Sequence, residues 1–177
     1  MKKYEFTGET KEIRLLFRTA TLHRIRATVA FGIVEVGDLG GWIEKEENLS
    51  HEGKAWVCGD AEVWGNAKVC GDAKVCGDAE VWGNAKVCGD AKVFSASHVL
   101  VIGAIGSRND FTTFYRDKDN EITVKCGCFL GKIDRFLEKV TQTHGDSKYA
   151  LVYRAAVEVA KLQIDLSGEA PKDADEE

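Results

Sequence analysis

Val57-Cys-Gly-Asp-Ala-Glu62, Val63-Trp-Gly-Asn-Ala-Lys68 and Val69-Cys-Gly-Asp-Ala-Lys74 form three hexads, and Val75 to Lys92 repeats all three without a change. A self-similar period of this kind is read before anything else, because it sets the architecture. Within a hexad, Ala61-Glu-Val-Trp64 alternates apolar and polar positions, the two-residue period of a strand with one buried face. Gly65-Asn66 then supplies a pair suited to a tight corner. Tryptophan returns only at Trp82 and asparagine only at Asn84, so identity recurs after three hexads. Three short strands per coil predict a triangular solenoid, with successive coils about 4.8 Å apart.

That geometry sends Val57, Val63, Val69, Val75, Val81, Val87 and Val93 inward, with alanines such as Ala61 and Ala67 filling the narrow interior. Outside it stacks Cys58 on Cys76, Trp64 on Trp82 and Cys70 on Cys88, and ladders Glu62 on Glu80, Lys68 on Lys86 and Lys74 on Lys92. Like charges placed directly opposite are mildly unfavourable. The pattern of an aliphatic residue followed four positions later by a small one, as in Val63-Trp-Gly-Asn-Ala67-Lys, resembles the hexapeptide-repeat, left-handed parallel β-helix (trimeric LpxA-like) superfamily. The resemblance implies left-handed coiling and a homotrimer.

The expected fold class is therefore mainly β: a left-handed parallel β-helix with three hexads per coil, an N-terminal β cap and a small C-terminal α+β region. The expected segments are a cap over 1–48, the repeat over 49–106, an α+β region over 107–166 and an acidic disordered tail over 167–177. Ile13–Phe17 and Leu22–Phe31 alternate as strands, and a solenoid end needs a cap over its open edge. Gly40-Gly-Trp-Ile-Glu-Lys-Glu-Glu-Asn-Leu-Ser50 resembles the lead-in of small hexapeptide-repeat proteins of phage and bacterial genomes. Beyond Lys92 the repeat decays, and the apolar run Val99–Ile105 reads as a strand buried on both faces. Phe114-Tyr-Arg116 and Ile122–Cys126 flank Asp117–Glu121 as a hairpin. Ile133, Phe136, Leu137 and Val140 lie at helical spacing. A second helix from Lys148 to Gln163 is expected to bury Tyr149, Val152, Ala156, Val159 and Ala160.

The chain of 177 residues carries a formal charge of −5, which argues against a nucleic-acid polymer as partner. No run of about 18 apolar residues predicts a membrane helix. The start Met-Lys-Lys-Tyr-Glu-Phe lacks an apolar signal region, so a cytoplasmic location is expected. Four of the six cysteines belong to the repeat, and a reducing compartment favours free thiols there, although Cys58 and Cys76 could reach bridging distance.

Three chemistries compete. Acyl transfer, the best-known activity the resemblance implies, uses acyl-coenzyme A or an acyl carrier and a histidine base. Among His23, His51, His98 and His144, His98 is the weak catalytic candidate, although no long loop interrupts the coils to shape an acceptor site. Zinc catalysis wants three protein ligands, and Cys126-Gly-Cys128 offers one edge only, so no metal and no cofactor are expected. The densest polar cluster outside the repeat is Ser107, Arg108, Asn109, Thr112, Thr113, Tyr115 and Arg116, the residue types that hold a phosphate or carboxylate. The Trp64/Trp82 column is the expected oligomer interface. The sequence thus favours a non-catalytic trimeric binding protein, phage-like and cytoplasmic, that sequesters a small anionic, nucleotide-like immune signal. Its alternatives are an acyltransferase and a purely structural scaffold.

Overall fold

A computed structural model describes residues 2–168. The N-terminal hairpin pairs β1 (Tyr4–Arg14) with β2 (Thr19–Ala27) antiparallel, and β2 pairs antiparallel with β3 (Leu39–Ile43). Seven two-residue strands follow: β4 (Trp56–Val57), β5 (Glu62–Val63), β6 (Lys68–Val69), β7 (Lys74–Val75), β8 (Glu80–Val81), β9 (Lys86–Val87) and β10 (Lys92–Val93). An antiparallel sheet then runs β11 (Val99–Ile105), β12 (Asp110–Arg116), β13 (Ile122–Cys126) and β14 (Phe129–Lys132). Two helices close the chain, α1 (Ile133–His144) and α2 (Lys148–Gln163).

The strands sort into four small sheets, in the orders β1-β2-β3-β5-β8, β10-β7-β4, β6-β9 and β11-β12-β13-β14. This corrects the expectation of a left-handed parallel β-helix and the superfamily resemblance drawn from it. The eighteen-residue period does set an offset for parallel pairing, with Glu62 against Glu80, Lys68 against Lys86 and Lys74 against Lys92. However, each ladder is only two residues wide. Every hexad reaches a glycine in the left-handed region, such as Gly65 at φ +69°, and the strand ends there. The ladders stay in separate sheets, one made mixed by the antiparallel hairpin, while the C-terminal sheet is antiparallel throughout. The chain is mainly β with two C-terminal helices, without one continuous or closed solenoid sheet.

Two apolar cores result. The first stacks Val57, Val63, Val69, Val75, Val81 and Val87 with the small alanines between them, all essentially free of solvent contact, and Ile25, Ile43 and Tyr4 extend it toward the N-terminus. The second gathers Phe114, Val124, Ile133, Phe136, Val140, Tyr153 and Val157 between the C-terminal sheet and the helices. Strand β12 divides them: Tyr115 belongs to the first core and its neighbour Phe114 to the second. Alternation along a strand places the two rings on opposite faces, which is why β12 from Thr112 to Arg116 is buried throughout.

Several local expectations are revised. Val99–Ile105 is an edge strand and only partly buried, because it has a partner on one side alone. Leu16 and Phe17 are not strand residues but the tip of the β1–β2 hairpin, at 88% and 93% exposure. Helix α2 buries Ala150, Tyr153, Ala156, Val157 and Ala160, while Val152 and Val159 face outward. Apolar residues surround most of that helix, so periodicity could not fix its inner face. The cysteine columns are disulfides, Cys58–Cys76 and Cys70–Cys88. Parallel neighbours bring each pair of Cα atoms to 4.6 Å, inside the bridging window. The tail read as disordered falls, from residue 169 onward, outside the described residues.

Candidate functional site

The polar cluster read from the sequence divides at Asp110. Its strand half, Thr112, Thr113, Tyr115 and Arg116, is buried and engaged with the protein itself. Thr113 Oγ1 accepts the Lys86 amide at 3.0 Å. The Tyr115 hydroxyl donates to the Cys88 carbonyl at 2.9 Å and accepts the Cys88 amide at 3.4 Å. Arg116 Nε donates to Asn120 Oδ1 at 2.7 Å, and its guanidinium lies 3.3 Å from His98 Nε2. Thr113 and Tyr115 thereby fasten the C-terminal sheet to the last hexads of the repeat. Burial pushes the Tyr115 hydroxyl well above the usual tyrosine range, so it stays protonated.

The turn half behaves differently. Ser107, Arg108 and Asn109 are exposed on the connection between β11 and β12, closed by the Asn109 amide on the Gly106 carbonyl at 3.3 Å. Arg108 makes no ion pair with any of the described residues. A Cβ placed on Gly127 would lie 3.4 Å from its Nη1, so the guanidinium rests beside the β13–β14 turn. Next to that turn, Thr112 Oγ1 donates to Cys126 Sγ at 3.3 Å, and Cys126 Sγ lies 4.0 Å from the Tyr153 hydroxyl. Tyr153 comes from α2, and its ring lies 5.8 Å from that of His144, at 29° between planes. It sits so close to the β11–β12 turn that a Cβ on Gly106 would come within 1.9 Å of its hydroxyl oxygen.

Burial, and the thiol of Cys126 behind it, push the Tyr153 hydroxyl up to about 12, while Arg108 pulls the other way. The hydroxyl is thus a fixed donor at neutral pH. Arg108, Cys126 and Tyr153 thus lie about the two turns, and the His144 ring stacks on that of Tyr153. Sequence reading found Arg108 and Thr112 but not Tyr153, His144 or Cys126 as their companions. An aromatic at helical spacing carries no mark that separates it from a core ring, and Cys126-Gly-Cys128 read as small residues at a turn.

His98, the candidate base, is 8% exposed. Its Nδ1 accepts the Phe94 amide at 3.1 Å and its Nε2 faces Arg116. Burial, and then the Arg116 charge, hold its pKa below the ordinary histidine value. Both ring nitrogens face the protein, an arrangement that packs the last turn of the repeat. Among the described residues no group of three or more His, Cys, Asp or Glu side chains could hold a metal ion.

Trp64 and Trp82 stack at 5.3 Å between centroids and 7° between planes. Trp82 is 54% exposed, whereas Trp64 is only partly so and its Nε1 is buried without a partner among the described residues. Beside Trp82 an apolar cleft of about 590 Å³ opens between β8 and β11, lined by Val81, Ala85, Leu100, Val101 and Phe111.

The chain matches no protein-family model, and comparison with curated proteins finds no match. Nothing in the comparisons or the fold supports a phage origin, a nucleotide ligand or immune evasion, and those expectations are withdrawn with the β-helix. No helix among the described residues is long and apolar enough to cross a membrane.

Proposed function

We propose that this chain is a non-catalytic binding protein that holds a small anionic ligand against Arg108. The observation that carries the reading is the placement of this guanidinium: exposed, without an ion pair among the described residues, and beside the β13–β14 turn. The buried Tyr153 hydroxyl, its pKa pushed up to about 12 and within the electrostatic reach of Arg108, stays a neutral donor at neutral pH. An arginine fork with a neutral donor suits a carboxylate or phosphate better than a neutral ligand. The repeat contributes rigidity, since its interlocked valine and alanine core leaves little room for movement.

Denaturing the purified protein and analysing the released small molecules by mass spectrometry tests it, together with calorimetric titration using inorganic phosphate and short dicarboxylates. The expected result is an anion released from the wild-type chain and lost from Arg108→Ala. A charge-assisted hydrogen bond of about 1.5–3 kcal/mol corresponds to roughly ten- to hundredfold weaker binding in that variant. No released anion, together with titrations in which wild type and Arg108→Ala coincide, overturns the proposal.

A further inference from the structure

The hairpin of β1 and β2 ends in a bare apolar knob. His23 pairs with Ile43 on β3, and the hairpin continues four further residues along β2 to the Arg14–Thr19 pair; Ala20 and Leu22 stay buried on that stretch and Arg18 pairs with Glu44, so the exposed apolar surface is confined to the tip. Its tip carries Leu16 and Phe17, the two most exposed large apolar residues of the described N-terminal half. Exposing both to water is unfavourable by roughly 1.5–3 kcal/mol each relative to full burial. Among the described residues neither is covered.

At the opposite edge of the same sheet lies β8, the last strand in the order β1-β2-β3-β5-β8. There the cleft beside Trp82 has the complementary character: apolar walls from Leu100, Val101 and Phe111, and a volume of about 590 Å³. That size falls within the range of pockets that bury whole ligands or side-chain clusters. The charges match as well. Arg14 flanks the knob, Glu80 lines the cleft and Asp110 adjoins Phe111 beside it; none of the three makes an ion pair among the described residues.

We infer that the Leu16–Phe17 tip of one copy docks in the Trp82–Phe111 cleft of a second copy, with Arg14 meeting Glu80. Knob and cleft occupy opposite edges of one sheet, so the contact is head-to-tail. Each copy offers both halves, so the contact builds a ring or an open chain of copies rather than stopping at a two-fold dimer. The contact would cover both the exposed Trp82 and the Leu16–Phe17 tip.

Sedimentation velocity of the full chain, with circular dichroism as a folding control, tests the inference. Wild type is expected to sediment as an oligomer. Phe17→Asp on the knob and Val101→Asp in the cleft should each give folded monomers, with self-affinity lowered at least a hundredfold. Mixing the two variants is the decisive arm. One intact knob then meets one intact cleft, so the mixture should form a one-to-one dimer that neither variant forms alone. Arg14→Glu should weaken assembly about tenfold and be rescued by Glu80→Arg. A monomeric wild type overturns the inference, as does an oligomer that survives Phe17→Asp, or a mixture that stays monomeric. Should Val101→Asp fail to fold, Phe111→Ser takes its place in the mixing arm. Wild-type monomers whose cleft binds a hydrophobic dye would assign the cleft to a small ligand and likewise overturn it.

Discussion

The Tyr115 hydroxyl is bonded twice to one residue of the repeat, donating to the Cys88 carbonyl and accepting from the Cys88 amide across 27 positions of sequence. Among the described residues no strand ladder continues beyond β9, so a side chain takes the place of the missing neighbour. Tyr115→Phe leaves a buried carbonyl and a buried amide without partners. We expect a loss of about 1–3 kcal/mol, read as a lower denaturant midpoint with unchanged slope. A loss below about 0.5 kcal/mol would mean that water replaces the hydroxyl.

Gly106 sits at φ +73°, and an added Cβ would fall 1.9 Å from the Tyr153 hydroxyl oxygen. Gly106→Ala therefore strains the backbone and drives the ring off Cys126 at once. The strained φ alone is of order 1–3 kcal/mol, and the collision adds to it. Gly145→Ala is the matched control: its φ is +55° but nothing lies within 4 Å of the added carbon. Thermal unfolding should rank Gly106→Ala clearly below Gly145→Ala, and only the former should disturb Tyr153 fluorescence.

How much could be read in advance follows from where the information lies. Trp64 and Trp82 mark an eighteen-residue period, and that period is the offset at which Glu62 pairs with Glu80. The division into four sheets had no such marker, because it depends on the N-terminal hairpin joining β3 and on β12 being claimed by two cores. Thr113 and Tyr115 looked like ligand groups because their polar atoms serve Lys86 and Cys88, partners 27 residues away. Applying strand alternation to Thr112–Arg116 would have separated the face that meets the repeat from the face that meets the helices. Arg108 was legible, being polar and in a turn. Tyr153 was not, since a phenol in an apolar helix reads as core.

Cys58–Cys76 and Cys70–Cys88 each close a span of 18 residues. In the chain-entropy account a loop of that size is worth about 3 kcal/mol. The two loops overlap in sequence, so their contributions should fall short of additive. A thiol reagent applied to the native protein should titrate Cys126 and Cys128 alone, and all six cysteines after reduction in denaturant. Reduction should lower the thermal midpoint without changing the secondary-structure signal at low temperature. Six reactive thiols before reduction would show that the columns stack unbonded.

Stability should peak on the alkaline side of neutrality, for reasons that lie at both ends of the molecule. Lys3 is buried, its Nζ donating to the Ala55 carbonyl at 2.7 Å, and burial lowers its pKa from 10.5 to about 8, with Asp72 opposing. Between those two values the unfolded chain binds the extra proton, so stability rises with pH; this contribution is complete above about 10.5 and lost below about 8. Tyr4, Tyr115 and Tyr153 act in the opposite sense. Burial raises all three above the ordinary 10.0, Tyr153 to about 12, and Glu46 adds to the effect at Tyr4. Their protonated forms are favoured in the fold, so stability is intact below pH 10 and declines as the unfolded tyrosines ionise above it. The curve of unfolding free energy against pH should therefore climb from 8, turn near 10 and fall beyond it. Lys3→Met should flatten the rising limb, and Tyr4→Phe should soften the falling one. A monotonic decline from pH 8 would show that Lys3 keeps its ordinary pKa in the folded chain.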